Sequence, residues 1–278
     1  MVKVGFIDYY LDEWHANNYP EFFKNETDGE FKVCYAYAKI DNPDGITNKE
    51  WAKMHGIELL DTIEEVVEKS DCLVILSPDN SEMHEELSDI PLKSGKFTYI
   101  DKTFAPDKAS AVRMFEKAEK YGTKCYSSSS LRYATEWKDI DKKAISKIYS
   151  SGAGDVEGYA VHQLEPIMML MECDPKRVMF LGNANNPSYI VEFEDGRFAQ
   201  CTHVDDPDGA FELTIADKEN KAKNYKAQSD FFAYFIKAMV EFFKTGNVEV
   251  DHKQTINVMA TIEAAKKASM TPFEWVLV

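Results

Sequence analysis

Residues 71–76 read Asp-Cys-Leu-Val-Ile-Leu, and residues 77–84 follow as Ser-Pro-Asp-Asn-Ser-Glu-Met-His. A run that is apolar at every inner position leaves no face for water, so it belongs to a parallel sheet covered on both sides. Outward from it, Val2–Asp8 and Phe31–Ala38 read as earlier strands, Phe97–Ile100 and Lys124–Ser127 as later ones. Helical stretches fall between them. They are Trp14–Lys24 with Asp12 as N-cap and Pro20 breaking or restarting it, Asn48–Gly56, and Asp61–Lys69 opened by Asp61 or Thr62. Glu82–Ser94 and the amphipathic Asp107–Tyr121, closed by Gly122, complete the series. This alternation predicts an α/β fold over residues 1–126, a Rossmann-like doubly wound parallel sheet. Its ligand crevice lies at the carboxyl ends of the strands.

After Ser127–Ser130, a candidate linker, the pattern changes. Glu136–Ser150 reads as helix, Asp155–Tyr159 leads into an apolar stretch through Met171, and Arg177–Ile215 holds alternating strands with a turn at Asp195-Gly196. Two helices close the chain, near Asp230–Lys244 and Gln254–Ala268. Residues 127–278 are therefore expected to form an α+β domain with an open, mostly antiparallel sheet, its last helix packing back on the first domain.

Of 278 residues, 44% are hydrophobic and 29% charged, which excludes a disordered or low-complexity chain. The 48 acidic residues outnumber the 32 basic ones, and a net charge of −16 disfavours nucleic acid and anionic bilayers as partners. No run long enough to span a membrane is visible and the N-terminus lacks a signal-peptide core, so a cytoplasmic protein is expected. Cys34, Cys72, Cys125, Cys173 and Cys201 are far apart with no metal-ligand spacing, and no metal is expected. Cys34, Cys72 and Cys201 sit in apolar or aromatic runs as small core residues.

Five landmarks occur in order: VGFID (4–8), SPDNSEMH (77–84), FTYIDKT (97–103), YAVHQLE (159–165) and the closing segment FFKTGNVEVDHKQTINVMATIEAAKKAS (242–269). In order and spacing they resemble the Gfo/Idh/MocA oxidoreductases over nearly the whole chain. The resemblance implies a dinucleotide-binding domain followed by a domain carrying substrate and homo-oligomer contacts. Asp101-Lys102-Thr103 matches the family's Glu-Lys-Pro signature, so Lys102 is the implied catalytic cation, and His84 precedes Asp101 by the family's spacing. His162 matches the family's catalytic His, while Gly158 stands where many members have Asp. Tyr159 could supply a hydroxyl to the same helical face. An imidazole there can exchange the alcohol proton while Lys102 steadies the alkoxide. Glu165 either orients the ring or faces solvent.

The departure concerns the cofactor. A dinucleotide loop uses Gly-x-Gly-x-x-Gly so that pyrophosphate can approach the helix N-terminus. Asp8, Tyr10 and Glu13 occupy those positions here. With Asp12 they place negative charge beside two phosphates, a repulsion of order ~1 kcal/mol per close pair. The acidic residue that would grip the ribose is also missing at Tyr37, Ala38 and Lys39. NAD or NADP remains the implied cofactor, with Tyr10, Ser77, Pro78, Asn80, His84 and Asp101 as candidate contacts. Ser77, Asp79 and Asn80 of the SPDNSEMH loop could contact a ribose or another polyol. Tyr9, Tyr10, Trp14 and Tyr19 could stack on a ring or simply pack, and Arg132 with Tyr133 could reach a substrate. Met168, Met169 and Met171 read as core. His15, His55, His203 and His252 have no partner at useful spacing. The expected activity is NAD(P)-dependent hydride transfer to or from a sugar, polyol or similar small hydroxy compound. The alternatives are a non-catalytic metabolite-binding or scaffolding relative, and redox-neutral acid/base chemistry.

Overall fold

A computed structural model describes residues 1–183, 185–204 and 210–278. They divide into two compact units, one of residues Met1–Ser128 and Phe235–His252, the other of residues Ser129–Tyr234 and Lys253–Val278. Among the described residues no helix is long and apolar enough to cross a membrane.

The first unit runs β1 (Val2–Asp8), α1 (Trp14–Glu26), β2 (Phe31–Ala38), α2 (Asn48–His55), β3 (Glu58–Leu59), α3 (Ile63–Lys69), β4 (Cys72–Ile75), α4 (His84–Leu87), β5 (Thr98–Ile100), α5 (Lys108–Tyr121) and β6 (Cys125–Tyr126). The sheet is parallel throughout, in the order β3-β2-β1-β4-β5-β6. Strand order reverses at β1, whose residues Val4–Ile7 pair with Cys72–Ile75, so the crevice of this fold opens at the carboxyl ends of β1 and β4. Gly5 permits a close approach, since a Cβ there would collide with Ser70 and Val66 at the end of α3. Thr47 with Glu50 and Thr62 with Glu65 form capping boxes, so Thr62 opens α3. Asp107 caps α5, and Gly122 closes it at φ 70°.

Three expectations are corrected here. Glu13, not Asp12, caps α1; Asp12 turns away to accept from the Ile46 N–H at 3.0 Å. Pro20 lies inside an unbroken α1, where burial of Tyr19 and Phe23 on either side of it offsets the hydrogen bond that a proline cannot donate. Residues 82–94 form α4 between 3₁₀ turns at Ser81–Met83 and Pro91–Lys93, because Pro91 disfavours helix at the residue before it.

The second unit contains β7 (Ile145–Gly152), α6 (Ala160–Met171), β8 (Pro175–Asn183), β9 (Asn186–Phe193), β10 (Phe198–His203), β11 (Glu212–Asp217) and β12 (Ala222–Lys226). Helix α7 (Phe231–Thr245) belongs to the first unit from Phe235 onward; α8 (His252–Ala268) belongs to the second from Lys253, as does β13 (Trp275–Leu277). The sheet order is β12-β11-β7-β10-β9-β8-β13, antiparallel except for β7 beside β10. Helix α6 packs on β7 and β10 and buries Leu164, Ile167, Met168 and Met171. Gly196 makes the β9–β10 turn at φ 84°. The helix expected over Glu136–Ser150 is absent. Short 3₁₀ turns occupy Thr135–Trp137 and Lys142–Ala144, and Ile145 begins a strand whose buried Ile145, Ile148, Ser150 and Gly152 face the core. Local turn chemistry overrides helix propensity there, for the Asp141 carboxylate accepts from the Lys143 N–H at 3.0 Å. Cys72, Cys125 and Cys201 are buried, whereas Cys34 is only partly covered.

In the first unit, α7 lays Phe235, Phe242 and Phe243 against rings that include Tyr19, Tyr99, Tyr126, Phe23 and Phe97. Gly5→Val, which must displace α3 from β1, is expected to lower stability by about 1–3 kcal/mol in urea unfolding.

Candidate functional site

In the first unit the candidate site lies where β1, β4 and β5 end. Asp8, the last residue of β1, is 1% exposed. Its Oδ1 accepts from the Tyr9 N–H at 2.6 Å, and its Oδ2 is buried. Burial, aided by the charge of Asp101, holds this carboxyl well above the usual range. Glu13 caps α1 by accepting from the His15 N–H at 2.6 Å and from the Ala16 N–H. Burial and then the Asp8 charge push Glu13 well up too.

The N–H groups at that helix terminus are the ones a diphosphate would need. The chain's own carboxylate already takes two of them, so the residues present do not fit a dinucleotide diphosphate docked on α1 in the usual way. Tyr10 is half-buried, and burial followed by the charges of Asp79, Asp8 and Glu13 raises its hydroxyl pKa. Tyr19 is buried against Phe235 as core, whereas Trp14 is exposed.

At the end of β5, Asp101 is held from three sides. Its Oδ1 accepts from the Lys102 N–H at 2.9 Å and from the Tyr99 hydroxyl at 3.2 Å, and its Oδ2 lies 2.7 Å from His15 Nδ1. Burial alone would raise this carboxyl, but the charge and hydrogen bond of His15, then Lys102, hold it below the usual range. Lys102 is partly exposed, with Nζ 3.5 Å from the Pro78 carbonyl oxygen. Ser77 is buried at φ 79°, its hydroxyl donating to the Asn80 carbonyl at 3.2 Å, and the Asn80 amide donates to Glu82 at 3.2 Å. His84 is fully buried, with Nδ1 3.0 Å from the Phe104 carbonyl and Nε2 2.5 Å from that of Leu76. Both ring nitrogens face backbone, leaving His84 no group for a ligand; it ties the end of β4 to the loop after β5.

In the second unit, His162 lies in the first turn of α6 and its Nδ1 is 2.7 Å from the Ser129 hydroxyl. The Tyr159 ring packs edge-on against it at 5.4 Å from the N-cap position, and Phe211 does so at 5.6 Å. Gly154, at φ 79°, lies against Tyr159, leaving no room there for a Cβ. Glu165 neither orients His162 nor faces solvent. It is 2% exposed and pairs with Arg132 at 2.9 Å, while the other end of the same guanidinium donates to Gln254 at 2.5 Å. Arg132 is thus committed to a buried pair.

Sequence reasoning missed Glu13 as a cap, His15 as the partner of Asp101, and Ser129 as the partner of His162. Glu is not among the preferred N-cap residues. The other two pairings join residues far apart in the chain, so spacing carried no signal.

No protein-family model and no curated protein matches the sequence. Solved structures do match in fold. A probable dehydrogenase from Thermotoga maritima superposes with a TM-score of 0.80 at 14% identity, covering 99% of this chain and 98% of that one. GenD2 from gentamicin A biosynthesis, in complex with NAD, gives 0.81 at 12% identity, with 100% and 97% covered. Myo-inositol dehydrogenase from Lactobacillus casei, in complex with NAD(H) and myo-inositol, gives 0.80 at 13%, with 100% and 96% covered. At such identities the likeness is one of fold.

Two outcomes follow from this geometry. The raised pKa of Asp8 means that its contribution is fully present below the ordinary Asp range and is lost as pH rises through the raised value. Asp8→Asn should therefore flatten the loss of stability that sets in as pH rises above the ordinary Asp range, read by urea unfolding across a pH series. Glu165→Ala, which strands the buried Arg132, should cost about 3–5 kcal/mol in the same measurement.

Proposed function

We propose that this protein is an oxidoreductase of the Gfo/Idh/MocA type that acts on a sugar, polyol or similar small hydroxy compound, with NAD or NADP as its redox partner. The observation that carries this reading is the match in fold along the entire chain to dehydrogenases, two of them solved with NAD or NAD(H). Lys102 follows β5 at the carboxyl edge of the parallel sheet, where such a fold binds ligands. Its ammonium can hold a substrate hydroxyl and favour the alkoxide. His162, whose Nδ1 meets the Ser129 hydroxyl, carries the imidazole for proton exchange, and Tyr159, whose ring packs against it, brings a hydroxyl to the same turn. Ser77, Pro78, Asn80 and Tyr10 remain proposed contacts for the ligand on the first unit. A cytoplasmic homo-oligomer completes this reading.

One observation favours a second reading, a metabolite-binding relative without dinucleotide chemistry: Glu13 fills the helix terminus that a diphosphate would use. Calorimetric titration with NAD, NADH, NADP and NADPH separates the two. Binding of one of them, with turnover of a polyol panel, supports the oxidoreductase; no heat at millimolar concentration rejects it. In an active protein, Lys102→Ala and His162→Ala are each expected to lower kcat by about 10²–10⁴-fold. Unchanged turnover in both variants would remove these residues from the chemistry.

A further inference from the structure

Two carboxylates lie along the first turn of the Rossmann-like sheet, and both take backbone N–H groups as an anion would. Glu13 accepts from His15 and Ala16 at the start of the 13-residue helix α1, and Asp8 accepts from Tyr9 where β1 ends. They are 7% and 1% exposed. The basic side chain closest to hand does not neutralise them. His15 Nδ1 is 3.8 Å from Glu13 but 2.7 Å from Asp101, with which it pairs. A diphosphate brought to this terminus would compete with Glu13 for the same donors and would meet the buried Asp8 carboxyl beside them.

We propose that the Glu13 carboxyl, seconded by Asp8, occupies and closes the diphosphate seat of this fold, so that the ligand bound by the first unit carries no diphosphate at α1. The class this admits is the small, phosphate-free hydroxylated compound, or a nucleotide held only by its other parts. The inference goes beyond the proposed activity and stands independently of it, because it concerns one subsite and not the reaction.

ADP-ribose isolates that subsite, since it carries the diphosphate and ribose units but no nicotinamide. Calorimetry on the full chain would compare the natural protein with Glu13→Ser, which keeps a good N-cap without charge, and Glu13→Gln, which keeps the size. The natural protein is expected to bind ADP-ribose no better than millimolar, Glu13→Ser to gain at least tenfold, and Glu13→Gln to gain less. Thermal melts establish that both variants are folded. Micromolar binding by the natural protein, or two folded variants without any gain, would overturn the inference. Failure of the proposed oxidoreductase is read separately, from turnover with nicotinamide cofactors, to which ADP-ribose is blind.

Discussion

The carboxylate of Glu13 seated on the N-terminus of α1 is the contact on which the character of the first unit turns. A helix terminus exposes several N–H donors and a partial positive charge, and something must satisfy them. In a glycine-rich dinucleotide loop that duty falls to the ligand. Here the chain performs it, and the strand ends become a corner of buried acids. Asp8 and Glu13 are pushed toward their neutral forms, whereas Asp101 keeps its charge through His15.

That division of roles organises the rest of the corner. The Tyr99 hydroxyl and the Lys102 N–H, together with His15, fix Asp101, so the carboxylate serves as an internal brace and Lys102 is the group beside it that retains exposure. His84 braces the neighbouring loop in the same manner. In the second unit the pattern recurs: Glu165 and Arg132 satisfy each other within the core, and Ser129, not Glu165, meets Nδ1 of His162. In each unit, polar residues that matched family positions divide into braces with every group occupied and side chains that keep access to solvent.

Much of the architecture was legible. The apolar run Cys72–Leu76 required a strand covered on both sides, and the alternation around it placed five of the six strands of the parallel sheet within a residue or two; the two-residue edge strand β3 is too short to leave a pattern. Thr62, Asp107, Gly122 and the Asp195-Gly196 turn announced themselves because capping and turn chemistry act over three or four residues. The misreadings came where local signals were mixed. Residues 136–150 carry a helix-forming composition in front of a β-branched segment, and burial of Ile145 and Ile148 decided for strand. Pro20 carries a strong local signal that the packing of its neighbours overrode.

By itself the amino-acid sequence determined the two kinds of sheet, the absence of the glycine-rich loop, and the candidacy of Lys102 and His162. All of these depend on residue type and short spacing. Only the tertiary structure decided that Glu13 caps α1, that His15 meets Asp101, that Ser129 meets His162, and that His84 and Glu165 are braces. The physical reason is that hydrogen bonds and burial are set by distance in space. Periodicity reports only which face of its own element a side chain occupies, not which partner from a remote element arrives to meet it.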